Sequence, residues 1–473
     1  MKIFVPSRIE LISFVTGFSL LTFELAAARV LAPTIGSSTY VWTGVIGVII
    51  AALSLGFWVG GTLADRRNRS TDIVWLLSLA SLFTILTLFL YKSFLLEIAL
   101  LDMDIRIQAV IAALFLFAPT SFFIGTTSPY LAKLQVFSLK STGQRIASLD
   151  AMNALGGILG TFVTGFVLFS YIGSRQTLIL VALLLIGVSW LISYRYRWLQ
   201  RLLLGIIIIC LSFVQPLALH RTEIDTASAH YEIADFRYDN QPVRGLVTGP
   251  GGIQSAVSLS GSKAPVFWYT KELARITLEK QPQSILVLGG GTFTLPEYLA
   301  QELPMAKIDV VEIDPKLKDI ASQYFNYDAP KNVNLIFSDA RSYVNKTQMT
   351  YDVIIADVYG DASIPFSLIT KEYGLALAKI TNQKGIVLAN IIGGLSGPCS
   401  EVFDAANAAY MQDFRYGSYS MNPSSGTRRA NIISLYSNDR QSYGLTPITS
   451  HTEAYSDNYA PAERLYFACQ AVR

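Results

Sequence analysis

Charge is what this chain has least of. Asp, Glu, Lys and Arg make up 15% of its 473 residues, against about 25% in an ordinary soluble domain. Hydrophobic residues make up 52% and the mean hydropathy is +0.41, so much of the chain belongs in lipid. Histidine is nearly missing. Three scattered copies leave no zinc or other metal site to expect. Three cysteines are too few for a disulfide scaffold. A net charge of +3 is too small to imply a nucleic-acid partner. The sequence holds no GxxxxGK loop and no GxSxG elbow, which excludes P-loop ATP hydrolysis and an α/β-hydrolase nucleophile.

What is present divides near residue 221. Residues 9–219 are a series of apolar runs; beyond them the chain turns polar and alternates strand-like and helix-like stretches. The expected architecture is a transmembrane domain over 1–220, a small β subdomain over 221–262 and an α/β nucleoside-binding domain over 263–473. A spanning helix takes about 20 mostly apolar residues. About seven fit: 9–32, 40–63, 72–92, 107–127, 146–170, 175–194 and 198–219. The first is too long, and lacks the cleavage site, for a signal peptide. Residues 95–106, with Glu97, Asp102 and Asp104, read as an interfacial connector. Gly56 with Gly60, and Gly156 with Gly160 and Thr164, recur at the small-residue spacing that lets helices pack closely.

Positive charges fall mainly on one side. Lys2 and Arg8, then Arg66, Arg67 and Arg69, then Lys133, Lys140 and Arg145, then Arg195, Arg197 and Arg201 occupy alternate loops. Lys92, Arg106 and Arg175 occupy the other side. The positive-inside rule puts the N-terminus in the cytoplasm. Seven spans then put the soluble domain outside, on a multi-pass protein of the plasma membrane. Within the spans, Glu24, Arg29, Asp150 and Asn153 are polar groups that need a reason in hydrocarbon. One reading is a polar cavity for a cationic substrate; the other is structural pairing or snorkelling.

In the polar half, Gly249-Pro250-Gly251-Gly252 punctuates short β segments, and 271–280 reads as a helix. Strand, turn and helix then repeat. Residues 284–288 run into Gly289, Gly290 and Gly291. Thr294, Pro296 and Glu297 read as a capping box opening the next helix. Strands over 307–313, 333–337 and 351–356 end at Glu312, Asp339 and Asp357. Strands over 385–391, 416–421 and 431–436 complete the domain. This alternation predicts a mostly parallel sheet whose ligand sits beyond the strands' carboxyl ends. A glycine turn lets a ligand approach the backbone, and Glu312, 21 positions after Gly291, is placed to hold ribose hydroxyls. Thr294 stands where a third glycine would complete the dinucleotide fingerprint, which argues against NAD. The competing reading of each acid is a helix cap.

These residues resemble the spermidine synthase (aminopropyltransferase) family, built on the seven-stranded sheet of class I methyltransferases. The resemblance covers roughly residues 228–437. Arg244-Gly245-Leu246, Ile253-Gln254-Ser255, Tyr269, Ile285-Leu286-Val287-Leu288-Gly289-Gly290-Gly291, Val310-Val311-Glu312-Ile313-Asp314-Pro315, Ser338-Asp339-Ala340 and Tyr351-Asp352-Val353-Ile354-Ile355-Ala356-Asp357 carry it. The membrane half resembles the fused membrane-bound members. Gly61-Thr62-Leu63-Ala64-Asp65-Arg66-Arg67 resembles a cytoplasmic loop of major facilitator transporters.

The resemblance implies decarboxylated S-adenosylmethionine, or S-adenosylmethionine, as co-substrate, with no tightly bound cofactor. The glycine run, Glu312, Asp339 and Ala340 would hold the nucleoside, and Gln254 and Tyr269 would line the site. Asp357 would take the amine proton or orient the amine as it attacks the carbon beside the sulfonium. A homodimer is the implied assembly; the bilayer, a small amine and the adenosyl ligand are the other implied partners. The sequence departs from the family where Thr292 replaces an aspartate, where Thr270 and Lys271 follow Tyr269, and at Val358-Tyr359-Gly360-Asp361. Glu297 or Asp361 could compensate in the amine half. Four readings stay open: an aminopropyltransferase, a non-catalytic nucleoside or polyamine sensor, a transporter with a degenerate synthase domain, and a methyltransferase. Cys399 and Cys469 either pair or stay reduced.

Overall fold

Backbone polar groups in an apolar run must find partners within the run, and a helix satisfies them. A computed structural model describes residues 7–67, 69–101, 103–135, 142–213, 221–249, 252–360, 364–425, 429–440, 443–449 and 452–470. Its first half is helical: α1 (Arg8–Leu31), α2 (Thr39–Arg67), α3 (Ser70–Leu100), α4 (Ile105–Leu116), α5 (Ala118–Gln135), α6 (Thr142–Tyr171), α7 (Gly173–Ser189) and α8 (Trp198–Phe213). Ser7 and Glu10 close a capping box at the start of α1, each bonding the other's backbone N–H.

Among the described residues four helices are long and apolar enough to cross a membrane, or five if α4 and α5, bent by 55°, form one broken span. The helices α7 and α8 are apolar but shorter. The connector expected over 95–106 is corrected in part. The helix α3 continues through Glu97 to Leu100, Leu101 and Met103 lie outside helices, Asp102 lies outside the described residues, and Asp104 caps α4.

The small residues do what close packing requires. A Cβ on Gly156 would stand 1.9 Å from the Phe14 carbonyl oxygen, and one on Gly60 would stand 2.5 Å from that of Thr126. Thr164 Oγ1 donates to Thr22 Oγ1 at 3.0 Å. The pairs α1–α6 and α2–α5 therefore meet backbone to backbone. Glu24 is half-buried within α1. Asn153 Nδ2 donates to the Ser13 carbonyl at 3.1 Å, Arg29 lies 4.7 Å from the Phe169 ring centroid, and Asp150 is exposed.

The chain separates into two compact units: Met1–Leu219 with Ile224–His230, and His220–Glu223 with Tyr231–Arg473. Strands β1 (Arg221–Asp225), β2 (His230–Tyr238), β3 (Gln241–Thr248) and β4 (Gly252–Ser258) form one sheet in that order. The second sheet holds β5 (Ser284–Leu288), β6 (Lys307–Glu312), β7 (Val333–Phe337), β8 (Tyr351–Ala356), β9 (Thr381–Gly393), β10 (Tyr416–Met421), β11 (Ala430–Ser437) and β12 (Thr446–Pro447). Its order is β12-β10-β11-β9-β8-β5-β6-β7. The sheet has eight strands, not the expected seven. The extra one is a two-residue edge strand, with Pro447 opposite Ser418 and Thr446 opposite Tyr419; a proline lacks the N–H that an inner strand needs.

Strands β5 to β9 pair in parallel, while β11 runs antiparallel to β9. Near-continuous apolar runs suit strands buried on both faces. Leu286, Ile354, Val387 and Ile432 from β5, β8, β9 and β11 share one core with Phe403 and Tyr410 of the Pro398–Tyr410 helix. Cys399 on that helix is disulfide-bonded to Cys469, with a Cα–Cα distance of 4.3 Å. The sheet order reverses between β5 and β8, the place where open α/β sheets bind ligands.

Candidate active site

The site begins where β5 stops. Gly289 takes a φ of +91°, a region glycine enters without strain. Its N–H donates to the Val311 carbonyl at 2.9 Å, and the Asp357 N–H donates to Leu288 at 2.9 Å. These bonds tie the glycine turn to the ends of both neighbouring strands. The Thr294–Glu302 helix follows.

The capping box expected there does not form. The N-cap is Phe293, in a left-handed conformation without a side-chain bond. Glu297 is buried and turned elsewhere: its Oε1 accepts from Lys263 Nζ at 2.9 Å and from the Asp328 N–H at 3.0 Å. Its carboxylate is thus engaged away from the cleft.

Glu312 closes the glycine turn from β6. Its Oε2 accepts from the N–H groups of Gly290 at 2.9 Å and Gly291 at 3.2 Å, and its Oε1 accepts from the Asp314 N–H at 3.0 Å. Burial raises its pKa, and these backbone donors oppose the rise. Asp357, at the end of β8, accepts from Asn390 Nδ2 at 2.8 Å, and Asn390 Oδ1 accepts from Asn431 Nδ2 at 3.0 Å. This relay orients the carboxylate from two adjacent strands. Burial pushes the Asp357 carboxyl up to about 6, and the Asn390 bond works in the opposite direction.

A cleft of about 200 Å³ joins these groups. Gln254, Tyr269, Gly289, Gly290, Gly291, Glu312 and Asp357 line it together. Tyr269 donates its hydroxyl to the Gln254 carbonyl at 3.0 Å, and burial followed by the Asp357 charge raises its pKa. Asp339 and Ala340 are not in its walls. Asp339 is exposed, and its side chain accepts from the Ser342 N–H at 2.7 Å, capping the Ala340–Lys346 helix. Asp361 lies outside the described residues.

Sequence reasoning missed Asn390, Asn431, Arg429 and Tyr466, all of which line the cleft. Asn390 had a signal: it is a polar residue inside an apolar strand, and a buried amide needs a partner. The others come from segments far along the chain.

Comparison with known proteins bears on the same residues. Residues 266–391 match the spermine/spermidine synthase domain family. A polyamine aminopropyltransferase of Vibrio vulnificus (strain CMCP6) is 30% identical over 145 residues, 30% of this chain and 47% of that protein. A probable polyamine aminopropyl transferase of Bifidobacterium longum (strain NCC 2705) is 33% identical over 140 residues, 30% of this chain and 31% of that protein. The chain thus spans half or less of the length of these relatives. A probable spermidine synthase from Corynebacterium glutamicum ATCC 13032 is 21% identical in structural superposition, with a TM-score of 0.43, covering 52% of this chain and 99% of that one. The matched segment contains the glycine turn, Glu312, Asp357 and Asn390, whereas Arg429, Asn431 and Tyr466 lie beyond it.

Proposed function

We propose that this chain transfers an aminopropyl group from decarboxylated S-adenosylmethionine to a small amine. The carrying observation is the buried carboxyl of Asp357 at the sheet's switch point, in one cleft with the glycine turn and Glu312. The nucleoside half is Gly289, Gly290, Gly291 and Glu312, with Gln254 and Tyr269 as walls. The reacting amine must be neutral. Its nitrogen lone pair attacks the carbon beside the sulfonium, the carbon–sulfur bond breaks, and its electrons remain on sulfur. Methylthioadenosine leaves, and the new ammonium gives its proton to Asp357. A base with a pKa near 6 is ionised at neutral pH and placed to receive that proton. The helices serve as a membrane anchor.

The test uses the full-length chain in detergent micelles. Calorimetric titration with decarboxylated S-adenosylmethionine, S-adenosylmethionine and methylthioadenosine is paired with mass-spectrometric detection of methylthioadenosine release. Binding lost in Glu312→Ala but kept in Asp357→Asn, with release abolished in Asp357→Asn, is the expected pattern. Failure of all three ligands to bind overturns the transferase reading and leaves a sensing or transport role. Release of S-adenosylhomocysteine from S-adenosylmethionine assigns methyl transfer instead.

A further inference from the structure

The far wall of the cleft carries a cation. Arg429 stands just ahead of β11, which is two strands from β8 in the order β8-β9-β11. The glycine turn follows β5, on the opposite side of β8. The antiparallel register sets Ala430 opposite Gly393, three residues past Asn390, so Arg429 stands at the carboxyl edge of β9. Arg429 therefore belongs to the half of the cleft away from the nucleoside residues.

Its guanidinium lies 4.7 Å from the centroid of the Tyr466 ring and makes no hydrogen bond or ion pair among the described residues. Tyr466 lines the same cleft and is 3% exposed, and its hydroxyl is buried behind that wall with no partner. Tyr359, also in the wall, has its hydroxyl taken: it donates to the Asn390 carbonyl at 2.9 Å and accepts from the Ile392 N–H at 2.7 Å. Asp357 is held by Asn390 rather than by Arg429. Arg429 is an exposed residue with a partly desolvated guanidinium, and that group and the buried orphan hydroxyl can both donate to an anionic acceptor entering the cleft. Guanidinium matches the two oxygens of a carboxylate, and the phenol adds a donor. A simple diamine would instead bring its second ammonium toward a like charge.

We infer that Arg429 and the Tyr466 hydroxyl form a carboxylate-binding corner, so that the acceptor is an amino acid whose amine points to Asp357 while its carboxylate sits in that corner. This rests on the transferase reading above. The same chemistry could come from the methionine carboxylate of S-adenosylmethionine. The acceptor is favoured because the corner lies across Asp357 from the glycine turn.

The experiment titrates the full-length chain in detergent. In the first arm the chain is saturated with methylthioadenosine and receives 4-aminobutyrate or putrescine. In the second arm S-adenosylmethionine is compared with its decarboxylated form. Arg429→Gln, Arg429→Lys and Tyr466→Phe are run beside the wild type. The expected result is at least tenfold tighter binding of 4-aminobutyrate than of putrescine. Arg429→Gln erases that preference, Arg429→Lys keeps part of it, and Tyr466→Phe weakens 4-aminobutyrate alone. A preference confined to S-adenosylmethionine over its decarboxylated form, erased by Arg429→Gln, moves the carboxylate to the donor and overturns the acceptor assignment. Intact methylthioadenosine binding with no affinity altered more than twofold in Arg429→Gln overturns the corner itself. If methylthioadenosine fails to bind the wild type, the transferase reading falls and this inference falls with it.

Discussion

A Cβ added to Gly289 would stand 2.1 Å from the carbonyl oxygen of Asp357. The glycine turn and the end of β8 touch through backbone, so the carboxylate and the nucleoside-side turn hold a fixed relation. Gly289→Ala adds both that overlap and an unfavourable positive φ. A residue forced into such a conformation loses about 1–3 kcal/mol. Thermal unfolding of the purified chain should show a lowered midpoint, and calorimetry should show lost adenosyl-ligand binding.

Glu312 holds the turn through the N–H groups of Gly290 and Gly291 and also accepts from the Asp314 N–H. Glu312→Gln keeps the shape but replaces a charged acceptor, whose bonds are worth about 1.5–3 kcal/mol each. Methylthioadenosine affinity is expected to fall by roughly tenfold or more, since bonds of that size correspond to such factors. An unchanged dissociation constant would remove Glu312 from the nucleoside site.

Asp357 sets a pH dependence. Its carboxyl titrates at about 6 in the folded chain, against a model-peptide value of 3.8. As the general base it is protonated below pH 6, so the turnover rate should fall as pH drops through 6. Asp357→Asn should reduce the rate by about 10²–10⁴-fold and flatten this limb. Stability has the opposite sign. Between 3.8 and about 6 the folded state keeps a proton that the unfolded chain has lost, so stability declines as pH rises through that window. Asp357→Asn should therefore be no less stable than wild type at neutral pH, with a gain of no more than about 3 kcal/mol. Denaturant titration at pH 4 and pH 7.5 measures the difference.

The disulfide between Cys399 and Cys469 spans 70 residues. Opening a loop of that length is expected to lower stability by about 4 kcal/mol in the chain-entropy account. Maleimide applied to the denatured, unreduced chain should label one cysteine, Cys210, and label three after reduction. We further propose that the α/β domain lies on the non-cytoplasmic side, where the charge rule puts it for seven spans, counting the bent pair as one and α7 and α8 as spans, and where a disulfide suits an oxidising location. An export-dependent reporter fused after Arg473 should be active; an inactive export reporter with an active cytoplasmic one would reverse the assignment.

Gly156 tests the bundle independently of the cleft. A Cβ there meets the Phe14 carbonyl oxygen at 1.9 Å, so Gly156→Leu must separate α1 from α6. Thermal stability of the full chain in detergent should drop by about 1–3 kcal/mol or more, as overpacking does, while Gly47→Leu, where no atom lies within 4 Å, should leave it unchanged.

The chain by itself determined what depends on neighbours in sequence. Apolar runs of about 20 residues marked the helices of the first half. Short apolar runs ending in Gly289, Glu312 and Asp357 marked β5, β6 and β8, because a buried strand reads as continuous hydrophobicity and its end as a polar break. Two local patterns misled. Thr294 and Glu297 have capping-box spacing, but Lys263 and the Asp328 N–H draw Glu297 away. Asp339 sits at a strand end like its neighbours, but the Ser342 N–H claims its side chain. Only the tertiary structure decided the rest. Asn390, Asn431, Arg429 and Tyr466 reach Asp357's cleft through the parallel β8–β9 pair, the antiparallel β9–β11 register and the seating of the Ala462–Gln470 helix. Strand pairing and helix docking join residues distant in the chain. No local periodicity encodes which of them meet, and that is why this wall of the cleft became legible only in three dimensions.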